Sequence, residues 1–193
     1  MPVSSRKRGF TLIELMISSV ILLLMLGAAY EALVLARKYH QKLADSSQIQ
    51  QETMNVLSRL ERSISAASAE SLEVSPDSSA VRFISAHTDQ EFFDLDPTSG
   101  GPRWQRWVGF YLDNTTLIWK EQTIAASTAL PASFPTIDAI KLDTSARKVD
   151  LSKQVHSIFF EDGSTTISIV LETRSKTQKS NGLTVLTRVH LSQ

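Results

Sequence analysis

The sequence predicts an α+β fold, one long N-terminal helix with a membrane-spanning first half, packed on an antiparallel β-sheet. Three observations lead there. The run Phe10–Tyr30 (FTLIELMISSVILLLMLGAAY) is apolar on every side and holds one charge, Glu14. No proline interrupts the chain between Phe10 and Pro76, so one helix can continue well past that run. From Leu72 onward, short β-rich runs alternate with turn residues.

At the rise of an α-helix, the first run covers about 30 Å, one hydrocarbon core. A soluble core helix rarely stays apolar on all faces for that length, so residues 10–30 read as a transmembrane helix. Beyond it the pattern turns amphipathic. Ile49, Val56, Leu57, Leu60, Ile64 and Ala67 recur at steps near three and four, while Gln50, Glu52, Asn55, Arg59 and Arg62 fill the other face. One helix from about Phe10 to about Ser68 follows, its second half lying against a globular domain. Ala36–Gln48 (ARKYHQKLADSSQ) is polar on most faces and reads as an exposed neck. Gly27 and the Ser46-Ser47 pair are its points of bending. A coiled coil is the rival reading, but the apolar stripe is too short for sustained heptads.

The sheet begins at about residue 72. Ala80–Ser85 (AVRFIS) is a short strand, and residues 86–103 form a loop closing on Gly100, Gly101 and Pro102. Trp107–Leu112 and Leu117–Glu121 flank Asp113-Asn114-Thr115-Thr116, a hairpin pattern with aromatic cross-strand partners. Residues 122–137 read as a Ser/Ala/Pro-rich connection, and Ala139–Leu142 as a weak strand. Val155–Phe160 leads through Asp162-Gly163 into Thr165–Thr173, where Ile167, Ile169 and Leu171 share one face and Thr166, Ser168 and Val170 the other. Lys176–Gly182 turns the chain into a last strand, Leu183–Leu191. Sequential pairing gives an antiparallel sheet with one apolar face, which the helix stripe covers. No internal repeat or boundary linker is visible, so residues 31–193 read as one domain with a protruding helix.

Composition excludes several kinds of chemistry. Twenty basic and twenty acidic residues balance, but Arg6, Lys7 and Arg8 lie in the first nine residues, which hold no acid. The rest of the chain is therefore slightly acidic, which argues against nucleic acid as a partner. There is no cysteine, hence no disulfide, thiol nucleophile or thiolate metal site. The compartment stays open, because an oxidising one permits disulfides without requiring them. His40, His87, His156 and His190 form no paired metal spacing and read as solvated or edge-strand residues. Glu91, Asp94 and Asp96 share a loop where calcium is conceivable, but the spacing is not that of an EF-hand, and a solvated acidic loop is the simpler reading. Arg103-Trp104-Gln105-Arg106-Trp107 is the one basic–aromatic cluster. It can stack on bases or sit at an interface, but strand aromatics usually pack on a core. No nucleophile motif, phosphate loop or carboxylate pair stands out, so no catalytic residue, metal or cofactor is expected.

The start of the chain carries two competing readings. A basic segment before an apolar run suits a secretory signal peptide, with small residues following at Gly27, Ala28 and Ala29. Against it, the run is long for such a peptide and has an acid near its start. The other reading rests on Gly9-Phe10-Thr11-Leu12-Ile13-Glu14-Leu15, which closely resembles the prepilin processing motif of type IV pilins and type II secretion pseudopilins. The resemblance implies that residues 1–9 are a leader. A membrane aspartic peptidase would cut between Gly9 and Phe10, and the new N-terminus at Phe10 would be methylated. It also matches Glu14 to the family's glutamate at the fifth mature position and implies a role in assembly. A charge in a membrane helix costs a few kcal/mol and calls for a partner. Cleavage frees the α-amino group of Phe10, charged at neutral pH and about one helical turn from Glu14. The resemblance implies that Glu14 pairs with that amine on its own or a neighbouring chain; the alternative is that it snorkels to the interface. Basic residues before the span are nearly matched by Arg37, Lys38 and Lys42 after it, so charge barely decides orientation. The family arrangement puts the N-terminus in the cytoplasm.

A pilin-like fold is thus reached from periodicity and, separately, from the processing motif. Major type IV pilins often have a C-terminal disulfide loop, which this chain lacks. The class K pseudopilin typically lacks the membrane glutamate, so Glu14 argues against that class. The layout of Val56–Ser68 followed by the Trp107–Trp119 hairpin is similar to minor subunits of the J class of type II secretion and the W class of minor pilins. The expectation is a non-enzymatic minor filament subunit at or near the tip, helping to initiate assembly. It would be a single-pass bacterial inner-membrane protein with its C-terminal domain in the periplasm. Its partners would be other pilin or pseudopilin subunits through the N-terminal helix, the prepilin peptidase and the membrane. The alternative is a signal-anchored extracytoplasmic binding protein.

Overall fold

The computed structural model describes residues 11–88, 92–163, 165–175 and 182–191. It is an α+β, pilin-like architecture. Among the described residues a 54-residue helix, α1 (Leu12–Ser65), leads into eight strands and one short helix. The chain divides into two compact units, Met1–Ala44 and Asp45–Gln193, and the division falls inside α1.

In the first unit the start of α1, residues 12–30, is apolar around its circumference. It is long and apolar enough to cross a membrane. None of the residues Leu12–Ala44 is buried.

The second unit begins with the amphipathic end of α1. Ile49, Val56, Leu57, Leu60 and Ile64 are buried, as the spacing predicts. The helix ends at Ser65 rather than near Ser68, because the chain there joins the sheet. Ala67 bridges Ser85, and the Ser68 N–H donates to the Ile84 carbonyl at 3.3 Å. A single 3-10 turn (Ala69–Ser71) then leads to β1 (Glu73–Val74) and β2 (Ala80–Ser85). They are followed by β3 (Trp104–Asp113), β4 (Thr116–Ser127), α2 (Ile137–Leu142) and β5 (Arg147–Ser152). The chain ends with β6 (Val155–Asp162), β7 (Thr166–Arg174) and β8 (Gly182–His190).

The strands form two antiparallel sheets rather than one: β1-β2-β3-β4-β5 and β6-β7-β8. The β3–β4 hairpin turns at Asn114, whose positive φ of 56° suits a residue that tolerates the left-handed region. Phe110 stands opposite Trp119 across it. In β7, Ile167, Ile169 and Leu171 all face inward, as the alternation requires. One core joins Leu57, Leu60 and Ile64 of α1 to Phe83, Phe110 and Trp119 of the first sheet and Phe160, Ile169 and Leu171 of the second. Leu60 and Ile64 are 0% exposed, and burying each contributes about 1.5–3 kcal/mol.

Two sequence expectations need correction. Ala139–Leu142 is not a strand; it lies in α2. The Thr136 hydroxyl accepts from the Ala139 N–H at 3.2 Å, an N-cap that starts the helix. Ile137 and Ile140, three apart, are its buried face. Its C-terminus is held by Lys120 of β4, whose Nζ donates to the carbonyls of Ile140, Lys141 and Asp143 at 3.1, 2.7 and 2.6 Å. These groups lack helical partners of their own. Residues 122–127 are also not connection but the continuation of β4 along β3. Helix α2 covers the sheet face opposite α1, with Ile140 packed where a Cβ on Gly109 would stand 3.0 Å from its Cγ2. Burial on both faces explains why every residue of β2 is buried and why its sequence does not alternate. The edge strand β5 (RKVDLS) escaped the sequence reading because only Val149 and Leu151 pack partly against the core.

Candidate functional site

The candidate site is the start of α1. Gly9 and Phe10 lie outside the described residues; Glu14 lies in the helix's first turn. The Thr11 N–H donates to Glu14 Oε2 at 2.9 Å, and the Thr11 hydroxyl donates to the same oxygen at 3.0 Å. In return, the Glu14 N–H donates to Thr11 Oγ1 at 3.3 Å. Thr-x-x-Glu closed in both directions is a capping box. The Leu15 N–H donates to the Thr11 carbonyl at 3.2 Å, making Thr11 the cap residue. Among the described residues the helix therefore starts at Leu12. This pattern is legible in Thr11-Leu12-Ile13-Glu14, although neither pairing of Glu14 with an amine nor snorkelling to the interface involves Thr11.

The box changes the account of Glu14. An acid in so apolar a helix needs hydrogen-bond partners, and Thr11 supplies two. Ser18 and Ser19 are satisfied in the same internal way, donating to the Glu14 and Leu15 carbonyls at 2.7 Å each. Polar atoms of the segment are thus closed on its own backbone, while its apolar side chains face outward.

The other sequence candidates resolve into structural roles. In the acidic loop, Asp94 accepts from the Gln105 amide and lies 3.7 Å from Arg103. Asp96 accepts from the Ser99 hydroxyl at 2.6 Å and the Ser99 N–H at 3.0 Å, and Ser99 holds the Asp96 carboxyl below the usual range. Glu91 lies outside the described residues, among which no group of three His, Asp or Glu is placed to hold a metal. His87 packs edge-on against Phe93 at 6.0 Å; His40, His156 and His190 are exposed.

The basic–aromatic cluster belongs to the core. Trp104 and Trp107 are buried. Arg106 is 5% exposed and donates to Glu121 Oε2 at 2.8 Å, with Glu121 equally buried. Arg147 reaches the other Glu121 oxygen at 3.2 Å, and the Arg59 guanidinium stacks over Trp119 at 4.0 Å. The sequence reading noticed Arg106 only for its charge. Its partner lies fifteen residues on, across the hairpin, and strand register alone brings them together. The small cavity beside them, lined by Arg59, Arg62, His87, Arg106 and Trp119, has a volume of about 20 Å³, room for one water.

With this geometry in place, comparison with known families adds one finding. The prokaryotic N-terminal methylation motif matches residues 4–30, and the match supports a type IV pilin-like protein. Proteins carrying the motif are structural rather than catalytic, assemble with other pilin subunits and are processed by prepilin peptidase. The motif and the apolar helix together fit a membrane-anchored pilin. No curated protein matches the chain.

Proposed function

We propose that the chain is a minor structural subunit of a type II secretion or type IV pilus filament. It is cut after Gly9, methylated on the amine of Phe10, and held in the bacterial inner membrane by a single span with residues 31–193 in the periplasm. The observation that carries this reading is the coincidence of three features in one segment. The methylation motif covers residues 4–30, the apolar side chains from Leu12 to Leu26 are exposed, and the first helical turn holds the lone acid of that segment, Glu14. An apolar surface of that length calls for lipid before assembly and for neighbouring helices after it. Support for a tip or initiating role is a layout similar to that of the J and W classes, a helix leading into a long aromatic hairpin, here β3–β4.

Mass spectrometry of the mature N-terminus tests the reading. The expected result is a chain beginning at methylated Phe10, and no such product from a Gly9→Val precursor. An intact Met1 would indicate a signal-anchored binding protein instead. A start near Tyr30 would indicate an ordinary signal peptide. Either outcome sinks the proposal.

A further inference from the structure

We propose that the outer edge of β8 is a docking site for an acidic, extended segment of another protein, which adds to the second sheet as an antiparallel strand. The segment places a carboxylate opposite Arg188 and an apolar side chain opposite Leu186.

A sheet edge leaves backbone N–H and C=O groups unpaired, and folded proteins protect such edges with shortness, charge, bulges or cover. Among the described residues the two sheets end on β1, β5, β6 and β8, and the first three are protected. Strand β1 has two residues. Strand β5 carries Arg147, Lys148 and Asp150, and its register against β4 shifts between Leu117 and Ile118. The register of β6 against β7 shifts between Val155 and Ser157. Two N–H groups of β6 are also taken: Phe160 donates to the Ser78 carbonyl at 2.8 Å and Val155 to the Thr115 carbonyl at 3.2 Å. Strand β8 has none of these devices. Gly182–His190 keeps an unbroken register with β7 and contains no proline, lysine or acid.

Alternation decides which groups that edge presents. The Leu191 N–H donates to the Thr165 carbonyl at 3.0 Å, one step beyond the Thr166–His190 pair. Only every second pair of an antiparallel ladder is hydrogen-bonded, so Val185, Thr187 and Val189 bond to β7. Thr184, Leu186 and Arg188 turn their N–H and C=O groups away from β7, toward the open edge. Their side chains are exposed as well.

Those side chains define the partner's chemistry. Phe159, Val170 and Leu186 stand in one row across the outer face of the sheet, with Phe159 and Leu186 exposed. An apolar side chain opposite Leu186 extends that row by one strand. In the next row Arg188 stands beside Ser168, with Glu161 one strand further away. Among the described residues Arg188 makes no ion pair, so a carboxylate across the open edge complements it. A second copy does not supply one through the same strand, because Gly182–His190 holds no acid.

The test uses the full-length chain in detergent micelles and a labelled synthetic peptide of alternating valine and threonine, with glutamate and leucine placed to oppose Arg188 and Leu186. Fluorescence anisotropy is expected to show saturable binding. Amide exchange is expected to slow at Thr184, Leu186 and Arg188 and to stay unchanged at Val185 and Thr187, which β7 already holds. Leu186→Pro removes one outward N–H and leaves the ladder to β7 intact, as an edge position allows. Its Kd is expected to rise about tenfold, the factor a lost hydrogen bond supports, while Leu186→Val keeps the parent's Kd. Arg188→Glu is expected to weaken binding about fivefold and to prefer the same peptide with lysine in place of glutamate. Absence of saturable binding, protection at Val185 and Thr187 instead, parental binding by Leu186→Pro, or an Arg188→Glu variant that still prefers glutamate would each overturn the proposal. Self-association of the chain alone that Leu186→Pro abolishes would also overturn it, giving the edge to a second copy.

Discussion

The two units of this chain invert each other. In Leu12–Ala44 the apolar side chains are outside: Leu22, Leu23, Leu24 and Leu26 are all exposed. The polar atoms there, at Thr11, Glu14, Ser18 and Ser19, close on the chain's own backbone. In Asp45–Gln193 Leu57, Leu60, Leu117 and Leu171 are inside, and even charged side chains are buried with them, as Arg106, Lys120 and Glu121 show. The same covalent helix serves both units. What differs is the medium each surface suits. Hydrocarbon welcomes an apolar exterior and punishes an unsatisfied polar atom. Water drives apolar groups together and tolerates buried charges only when they are paired and hydrogen-bonded.

Substitutions at a few positions would break or sharpen that contrast. The largest effect is expected from Arg106→Met, which leaves Glu121 buried with only the exposed Arg147 beside it. Removing one partner of a buried pair costs about 3–5 kcal/mol. Denaturant unfolding of the full-length chain in micelles, followed by tryptophan fluorescence, would measure it, since Trp104, Trp107 and Trp119 all lie in the second unit. The double variant Arg106→Met/Glu121→Leu should recover most of the loss. Full stability in Arg106→Met would mean that the pair is not held as buried as it stands here.

A step smaller, Leu60→Ala should destabilise the same transition by about 2–5 kcal/mol, because the side chain is 0% exposed in the joint core. Leu24→Ala removes the same atoms from the first unit and should leave that transition unchanged. Equal effects at the two positions would erase the distinction between the units.

The smallest effect is electrostatic and confined to acid. Asp77, in the turn before β2, is held down to about 2 from the ordinary 3.8, first by the Ser75 side chain and then by Ser79, whose hydroxyl donates to Asp77 Oδ2 at 2.6 Å. A carboxyl depressed on folding stabilises the fold fully above its ordinary value and loses that contribution as pH falls through the folded one. Asp77→Asn should therefore flatten the stability–pH profile of the second unit between about 3.8 and 2 and leave its shape above that window unaltered. Exposure keeps the contribution small, and an unchanged profile in the variant would remove Asp77 from the acid response.

Legibility followed the range of the interactions. The apolar run, the stripe from Ile49 to Ile64, the β3–β4 hairpin and the alternation of β7 are local patterns, and the structure follows them. Strand β5 and the division into two sheets were not legible, because two apolar residues, Val149 and Leu151, among three charged ones are too short an alternation to mark an edge strand. Helix α2 was misread because four apolar-rich residues suit either state until their cap and covering sheet are known. At the candidate site the acid was legible, but its hydrogen-bonding partner Thr11 was passed over.

What the sequence determined by itself is the character of the N-terminal segment. Its methylation motif, lone acid and unbroken apolar run depend only on neighbours along the chain. Tertiary structure decided the rest: which arginine is buried on which glutamate, which lysine closes α2, and that Gly109 lets Ile140 approach the sheet. Those pairings join residues far apart in the chain, and the strand register that brings them together is chosen by the whole core at once.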